Sequence, residues 1–319
     1  MEKKYYIKKR GILLKSVLKK IKKNYIDYFE HYSKSLLKRI VDFHEFPYYY
    51  SKEILRIFKS LLIVLFSKLN HNKFYKINRK TNGLNFNYYI YQDYIYRKMF
   101  FGNYSNEITK VLLKYLQKGS VFIDVGANIG YFSAIGAGKV GKKGQVHSFE
   151  PVSIYFKKLR EFVNLNENYQ IYANNYALGE SQGFSNINIS KTNLGWNTMV
   201  QGWMDSQNIK ETVKVEVKRL DEYILKNSIK NISLIKIDVE GYEFPVLKGL
   251  KNFFEITKQP LPPIIVEIIP LFYSLLGEKL EDLEQFMKNF SYTAYTLNGK
   301  SQINIMTLNK IKDVLFKQN

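Results

Sequence analysis

The chain has 319 residues, no Cys, 49 Lys and Arg against 28 Asp and Glu, and a formal net charge of +21. Its 45% hydrophobic and 16% aromatic residues supply material for a full core and exclude global disorder. A sequence without Cys has no disulfides, thiolate nucleophiles or Cys-ligated metal sites, and is compatible with a reducing cytoplasm, the location expected for it.

The charge is uneven. Residues 1–100 carry 23 Lys and Arg and 7 Asp and Glu, whereas the remainder carries 26 and 21. Residues 12–30 read as an amphipathic helix: Leu14, Val17, Leu18, Ile21, Tyr25 and Phe29 recur at three- and four-residue steps, with Lys15, Lys19, Lys22 and Lys23 between them. A second helical pattern covers about 52–69 and carries Ile54, Leu55, Phe58, Leu61, Leu62 and Leu65. Burial against protein is the ordinary fate of such stripes. Peripheral contact of 12–69 with an anionic membrane surface is the functional alternative. Part of the basic excess is compositional, because the chain favours Lys, Asn, Ile and Tyr throughout. No transmembrane helix is expected, since the longest apolar run, Leu61 to Phe66, is far below the ~20 residues a span requires. No signal peptide is expected either, because Lys15 interrupts Ile12-Leu13-Leu14. Residues 1–85 are therefore taken as a basic helical N-terminal region.

From residue 88 the texture changes. Residues 88–96 are aromatic and β-branched, and 107–117 show a helical pattern ending at Gly119. Strands are then predicted at 121–124, 145–150, 169–177, 213–217, 233–238 and 264–268. Helices are predicted at 128–137, 154–165, 220–226, 244–250 and 279–289. Two strand-like segments, 292–297 and 302–307, precede a basic tail, 311–319. The alternation predicts an α/β domain over 86–310 with a mostly parallel sheet and an antiparallel end.

The most informative segment is Val121-Phe-Ile-Asp-Val-Gly-Ala-Asn-Ile-Gly130, a hydrophobic strand running into a glycine turn with a helix opening after it. Such a turn admits a ligand close to the backbone and to a helix N-terminus. It is neither a Gly-x-Gly-x-x-Gly fingerprint, since Asn128 stands where the second Gly would come, nor a P-loop. Glu150, at the end of the second predicted strand, is placed to accept hydrogen bonds from a ribose diol. Asp124 can face an ammonium group. An acid for an amine, amides for a carboxylate and an acid for a ribose together suit S-adenosylmethionine.

At this point the sequence resembles a known family. Asp124-Val-Gly-Ala-Asn-Ile-Gly-Tyr131, Phe149-Glu150-Pro151, Ala177-Leu178-Gly179 and Leu234-Ile-Lys-Ile-Asp-Val-Glu-Gly-Tyr-Glu243 are similar to the motifs of FkbM S-adenosylmethionine-dependent methyltransferases, in the same order. The resemblance covers about 100–300. It implies a class I methyltransferase fold, a Rossmann-like and mostly parallel seven-stranded sheet, here with a helical N-terminal extension. It further implies that Asp124, Gly126, Asn128 and Gly130 line the methionine end of the cofactor, that Glu150 meets the ribose, and that Asn175 lies near the adenine edge.

Methyl transfer to a hydroxyl gains from a base or a metal near the acceptor. Of the four His, three lie in the N-terminal region and His147 falls inside a strand, so carboxylates are the remaining candidates. Asp238, Glu240 and Glu267 follow or end successive strands and are expected to converge on one rim. Glu240 is the preferred general base, with a pKa raised by its acidic neighbours. A divalent cation such as Mg²⁺ held by the same oxygens is the second possibility. Glu243 is expected only to cap the next helix. Both Trp, at 196 and 203, fall in an insertion at 184–210 beside Asn193, Asn197, Thr198 and Asp205, a composition suited to sugar binding. O-methylation of a sugar, glycan or small-metabolite hydroxyl is the leading function. An RNA 2′-O-methyltransferase and a non-catalytic S-adenosylmethionine binder are the alternatives. Nucleic acid is disfavoured by the acidic rim and by Asp238-Val-Glu-Gly-Tyr standing where base methylases carry Pro-Pro.

Overall fold

The computed structural model describes the backbone of 76–81 and 84–89, and residues 105–191, 195–258 and 260–318. The helices expected at 12–30 and 52–69 lie outside these residues, as does any surface they form.

Two antiparallel strands, β1 (Lys76–Thr81) and β2 (Leu84–Tyr89), straddle the boundary expected at 85/86. The main sheet has seven strands: β3 (Val121–Val125), β4 (Gln145–Phe149), β5 (Gln170–Asn174), β9 (Ile232–Ile237), β10 (Ile264–Ile268), β11 (Tyr292–Tyr295) and β12 (Lys312–Gln318). Their order is β11-β12-β10-β9-β3-β4-β5. The β3–β4, β4–β5, β3–β9 and β9–β10 pairs are parallel, and β12 runs antiparallel to both of its neighbours. This is the mostly parallel seven-stranded sheet expected from the sequence.

Alternation along the strands divides the core into two layers. Phe122, Val146, Ile171, Leu234, Ile265 and Leu315 point to one face, against α1 (Asn106–Tyr115), α2 (Tyr131–Val140) and α3 (Ser153–Leu165). Ile123, Phe149, Ile235, Val266 and Phe316 point to the other, against α4 (Leu220–Lys226), α5 (Glu243–Lys248), α6 (Lys251–Ile256) and α8 (Leu280–Asn289). A strand covered on both faces reads as a continuous apolar run, as Val121 to Val125 does apart from Asp124.

Three expectations are corrected. The tail expected at 311–319 is β12, paired to β10 on one side and β11 on the other, so the domain expected to end at 310 continues to 318. Its centre, Val314-Leu315-Phe316, is buried, and the flanking Lys312 and Lys317 conceal so short a run in the sequence. The segment 302–307, expected as a strand, forms a bridge at Gln302 and a 3₁₀ turn over Ile305–Thr307. The insertion, expected to be irregular, is a small sheet: β7 (Gly183–Ser190) runs antiparallel to β8 (Ile209–Lys218), whose far end pairs in parallel with β6 (Ala177–Leu178). A short helix, α7 (Pro270–Leu275), follows β10 and was not predicted. Among the described residues no helix is long and apolar enough to cross a membrane.

Candidate active site

A cleft opens at the carboxyl ends of β3, β4 and β9, where the strand order switches direction. It has a cavity volume of about 100 Å³ and opens to solvent. Its floor is the turn after β3. Gly126 has φ 78°, and a Cβ there would overlap the backbone carbonyl oxygen of Asp238, so only glycine lets β3 and β9 end this close together. The first amides of the turn are not aimed at a ligand. Gly126 N and Ala127 N donate to Phe149 O at 3.0 and 2.9 Å, and Asn128 N donates to Glu150 Oε2 at 2.8 Å. The turn thus ties itself to the end of β4 and offers the cleft a close approach of backbone. Gly130 plays a packing part: a Cβ there would lie 2.7 Å from Leu159 Cδ1 of α3.

Glu150 lines the cleft and is nearly fully buried. Oε2 accepts from Asn128 N, and Oε1 accepts from Val152 N at 2.9 Å, so two backbone groups hold the carboxyl in one orientation. Burial pushes its pKa up to about 7, against the pull of those two hydrogen bonds.

Asp124 does not line the cleft. Its carboxyl is fully buried, with Oδ2 accepting from Ser133 Oγ at 2.6 Å and Oδ1 lying 3.9 Å from Lys236 Nζ. Lys236 is the group that faces the cleft, 2.9 Å from Asp238 Oδ2 and with its ammonium over the Phe132 ring. Asp124 is the buried counter-ion of Lys236, not a free acceptor for an ammonium. Asn175 is likewise set back. Its amide donates to Glu150 O at 2.9 Å and Pro151 O at 3.1 Å, while Tyr176, Ala177 and Leu178 reach the cleft wall. Sequence reasoning missed Lys236, although a Lys inside the apolar run Ile232–Ile237 is a legible signal of a paired buried charge.

Past Lys236 the cleft becomes acidic. Carboxylate oxygens of Asp238, Glu240 and Glu267 lie within 4.8 Å of one another, as the order of their strands predicts. Asp238 follows β9, Glu240 sits in the next turn with φ 55°, and Glu267 stands in β10 directly across from Asp313 of β12. Burial, then the charges of Asp238 and its neighbours, pushes both Glu240 and Glu267 well above the ordinary carboxyl range. Asp313 is raised to about 6, first by burial and then by Asp238. It is a fourth acid that the sequence hid in an apparent tail. Glu243 takes the capping role expected of it: Oε1 accepts from Val239 N at 2.9 Å and Gly241 N at 3.0 Å. His147 is a sheet-face residue, stacked on Tyr172 at 4.8 Å with Nδ1 2.9 Å from Tyr223 Oη.

The insertion supplies the remaining wall through Gly195, Asn197 and Met199. Trp196 is half-exposed and edge-on to Trp203 at 5.9 Å, and Trp203 packs edge-on to Phe272 of α7 at 4.8 Å. Trp203 therefore anchors the insertion, and Trp196 presents a face outward. Asp205 caps the 3₁₀ turn Ser206–Asn208, Asn197 Oδ1 accepts from Ser190 N at 3.1 Å, and Asn193 lies outside the described residues.

The strand order, the single antiparallel strand and a cleft at the switch point define a Rossmann-like class I methyltransferase fold. The Methyltransferase FkbM domain matches residues 124–294, and the chain belongs to that family. It is 26% identical over 164 residues to the hexuronic acid methyltransferase AglP of Haloferax volcanii, covering 51% of this chain and 61% of the relative. It is 26% identical over 148 residues to Methyltransferase 1 of Beauveria bassiana, covering 42% and 59%. The chain thus spans about three fifths of the length of these relatives. Among solved structures it is similar to methyltransferase FkbM from Methylobacillus flagellatus, at 18% identity and TM-score 0.38, over 63% of this chain and 44% of that one.

Proposed function

We propose that the chain is an S-adenosylmethionine-dependent methyltransferase that methylates a hydroxyl of a sugar or glycan. The observation that carries this reading is one continuous cleft, with Glu150 held by two backbone amides at one end and Asp238 and Glu240 at the other, where Glu267 stands behind them within 4.8 Å. The cleft residues fit the cofactor: a turn without Cβ at Gly126, a buried oriented carboxyl for a ribose diol, and apolar walls at Val152 and Leu178 for a base.

When bound, S-adenosylmethionine supplies an electrophilic methyl group on a sulfonium sulfur. The chain's part is to hold the acceptor in line and to take its proton. Glu240 Oε would take the proton of the acceptor hydroxyl as that oxygen is methylated. Its raised pKa makes the ionised form a stronger base but leaves less of it ionised at neutral pH, so turnover is expected to rise from pH 7 to pH 9 in a pH–rate profile. Asp238 already has Lys236 as its cation, which favours proton handling over a divalent metal at this rim. A sugar acceptor is supported by the half-exposed Trp196, which stands in the chain between the cleft-lining Gly195 and Asn197, and by the hexuronic acid specificity in the name of one relative.

Calorimetry with S-adenosylmethionine and transfer of labelled methyl to a panel of methyl glycosides test the proposal. Micromolar binding and transfer are expected, with Glu240→Gln lowering kcat about 10²-fold or more at unchanged cofactor affinity. An absence of cofactor binding overturns the whole reading. Full activity in Glu240→Gln removes the base, and loss of turnover on EDTA that Mg²⁺ restores replaces it with a metal ion.

A further inference from the structure

The turn that carries Glu240 is held in a backbone conformation that its own residue disfavours. Glu240 has φ 55°, the left-handed region that non-glycine residues enter at a cost, and such residues persist where their surroundings over-determine them. Two contacts do so. The chain at Gly241 runs so close to Phe272 of α7 that a Cβ would overlap its ring. Thr198, in the insertion and fully buried, donates from Oγ1 to the carbonyl oxygen of Glu240 at 2.6 Å.

The Thr198 hydroxyl is itself fixed. Val200 N donates to Oγ1 at 3.0 Å, which leaves the hydroxyl proton for Glu240 O. The backbone of Thr198 exchanges two hydrogen bonds with Asn188 of β7, at 2.9 and 3.2 Å. A residue bridged to β7 therefore presents one hydroxyl to one carbonyl of the catalytic turn. Val200, buried with Ile269 and Phe272, closes the same contact from below.

We propose that Thr198 is a positioning residue: its hydroxyl clamps the backbone of Glu240 and keeps that carboxyl beside Asp238 and Glu267. The clamp gives the inserted sheet a task within the acidic rim, namely setting where the proton acceptor stands. The inference rests on the reading of Glu240 given above for its catalytic meaning, though not for its geometry.

Its first test needs no acceptor. Val239 N and Gly241 N are protected by Glu243, so amide exchange over 238–242 in the full chain reports the turn, and exchange over 183–190 reports the strand behind Thr198. Thr198→Val removes the hydroxyl at nearly constant volume. It is expected to speed exchange over 238–242 about tenfold, the equivalent of one buried hydrogen bond, while leaving 183–190 within about twofold. Thr198→Ser is expected to restore the turn, and Thr198→Ala stands in if the Val variant does not fold. Unchanged exchange over 238–242 in the loss variants overturns the proposal. So does equal loosening of 183–190, which marks a merely structural role, or failure of Ser to restore.

The second test uses transfer of labelled methyl to the methyl glycoside panel. Thr198→Val should lower kcat about tenfold and leave the cofactor KM unchanged, with no further loss in the Glu240→Gln background. An additive loss in the double variant overturns action through Glu240. Full activity of Glu240→Gln alone removes the base and leaves the clamp to be judged by exchange.

Discussion

Glu150 and Glu243 are both buried acids that accept two backbone hydrogen bonds, yet they differ in how their oxygens are used. In Glu150 each oxygen takes one amide, Asn128 N on Oε2 and Val152 N on Oε1. In Glu243 a single oxygen, Oε1, takes both Val239 N and Gly241 N. A Gln side chain keeps one carbonyl oxygen and replaces the other with a donor. Glu243→Gln can therefore retain both bonds and should cost less than about 1 kcal/mol, whereas Glu243→Ala leaves two amides without acceptors and should cost about 2–4 kcal/mol. Glu150→Gln must set an NH₂ group against a backbone N–H. It should cost about 1–3 kcal/mol and weaken S-adenosylmethionine binding as well. Urea unfolding of the three variants, with calorimetry on the two Gln variants, checks the ranking. Equal losses for the two Gln substitutions would show that burial, not oxygen usage, sets the cost.

At the scale of elements, the strands β3, β9 and β10 were legible because each is a short, mostly apolar run between turn signals, covered on both faces. Convergence of Asp238, Glu240 and Glu267 followed from strand order alone, since parallel strands end on one rim. Asp124 was legible as a motif member and Asn175 by its place just before Ala177-Leu178, but both were misplaced as cleft residues, because sequence does not show that Lys236, Ser133 and the carbonyls of Glu150 and Pro151 already engage them. The inserted sheet was hidden because Gly183–Ser190 alternates weakly and gains its order from pairing with β8, a non-local contact. β12 was hidden for a related reason: three apolar residues between lysines resemble a tail until β10 and β11 are seen to share them. Its importance can be measured. Phe316→Ala, at a buried site on a strand paired on both sides, should cost about 3–5 kcal/mol in urea unfolding. Deleting 311–319 should give an insoluble chain, since it strips β10 and β11 of their common partner. A soluble deletion variant with an unchanged unfolding midpoint would return these residues to the status of a tail.

For the whole molecule, the net charge of +21 conceals a domain whose buried ionisable groups are mostly acids. Glu150 and Glu243 are raised to about 7 and Asp313 to about 6, and Glu240 and Glu267 are raised further, all chiefly by burial. A carboxyl whose pKa is higher folded than unfolded binds more protons in the folded state. Its contribution is fully present below the unfolded value of about 4.5 and is lost as pH rises through the folded value. For Glu150 and Glu243 that loss runs from the unfolded value up to about pH 7, and for Glu240 and Glu267 it extends to higher pH. His147 acts in the opposite sense. Burial lowers its pKa to about 4, so its contribution is present above the unfolded value near 6.5 and fades only as pH falls below it. Between pH 6 and pH 9 that opposing effect is worth about 1 kcal/mol at most, against several carboxyls moving together. The acids win. The cofactor-free chain should lose roughly 1–3 kcal/mol of unfolding free energy from pH 6 to pH 9, read as a falling urea midpoint at constant ionic strength. The double variant Glu240→Gln/Glu267→Gln should flatten the upper part of that slope, because it removes the two acids that titrate there. A midpoint that rises over this range would mean that the acidic rim is solvated and ionised in the folded chain, and Glu240 would then lack the raised basicity its place in the cleft implies.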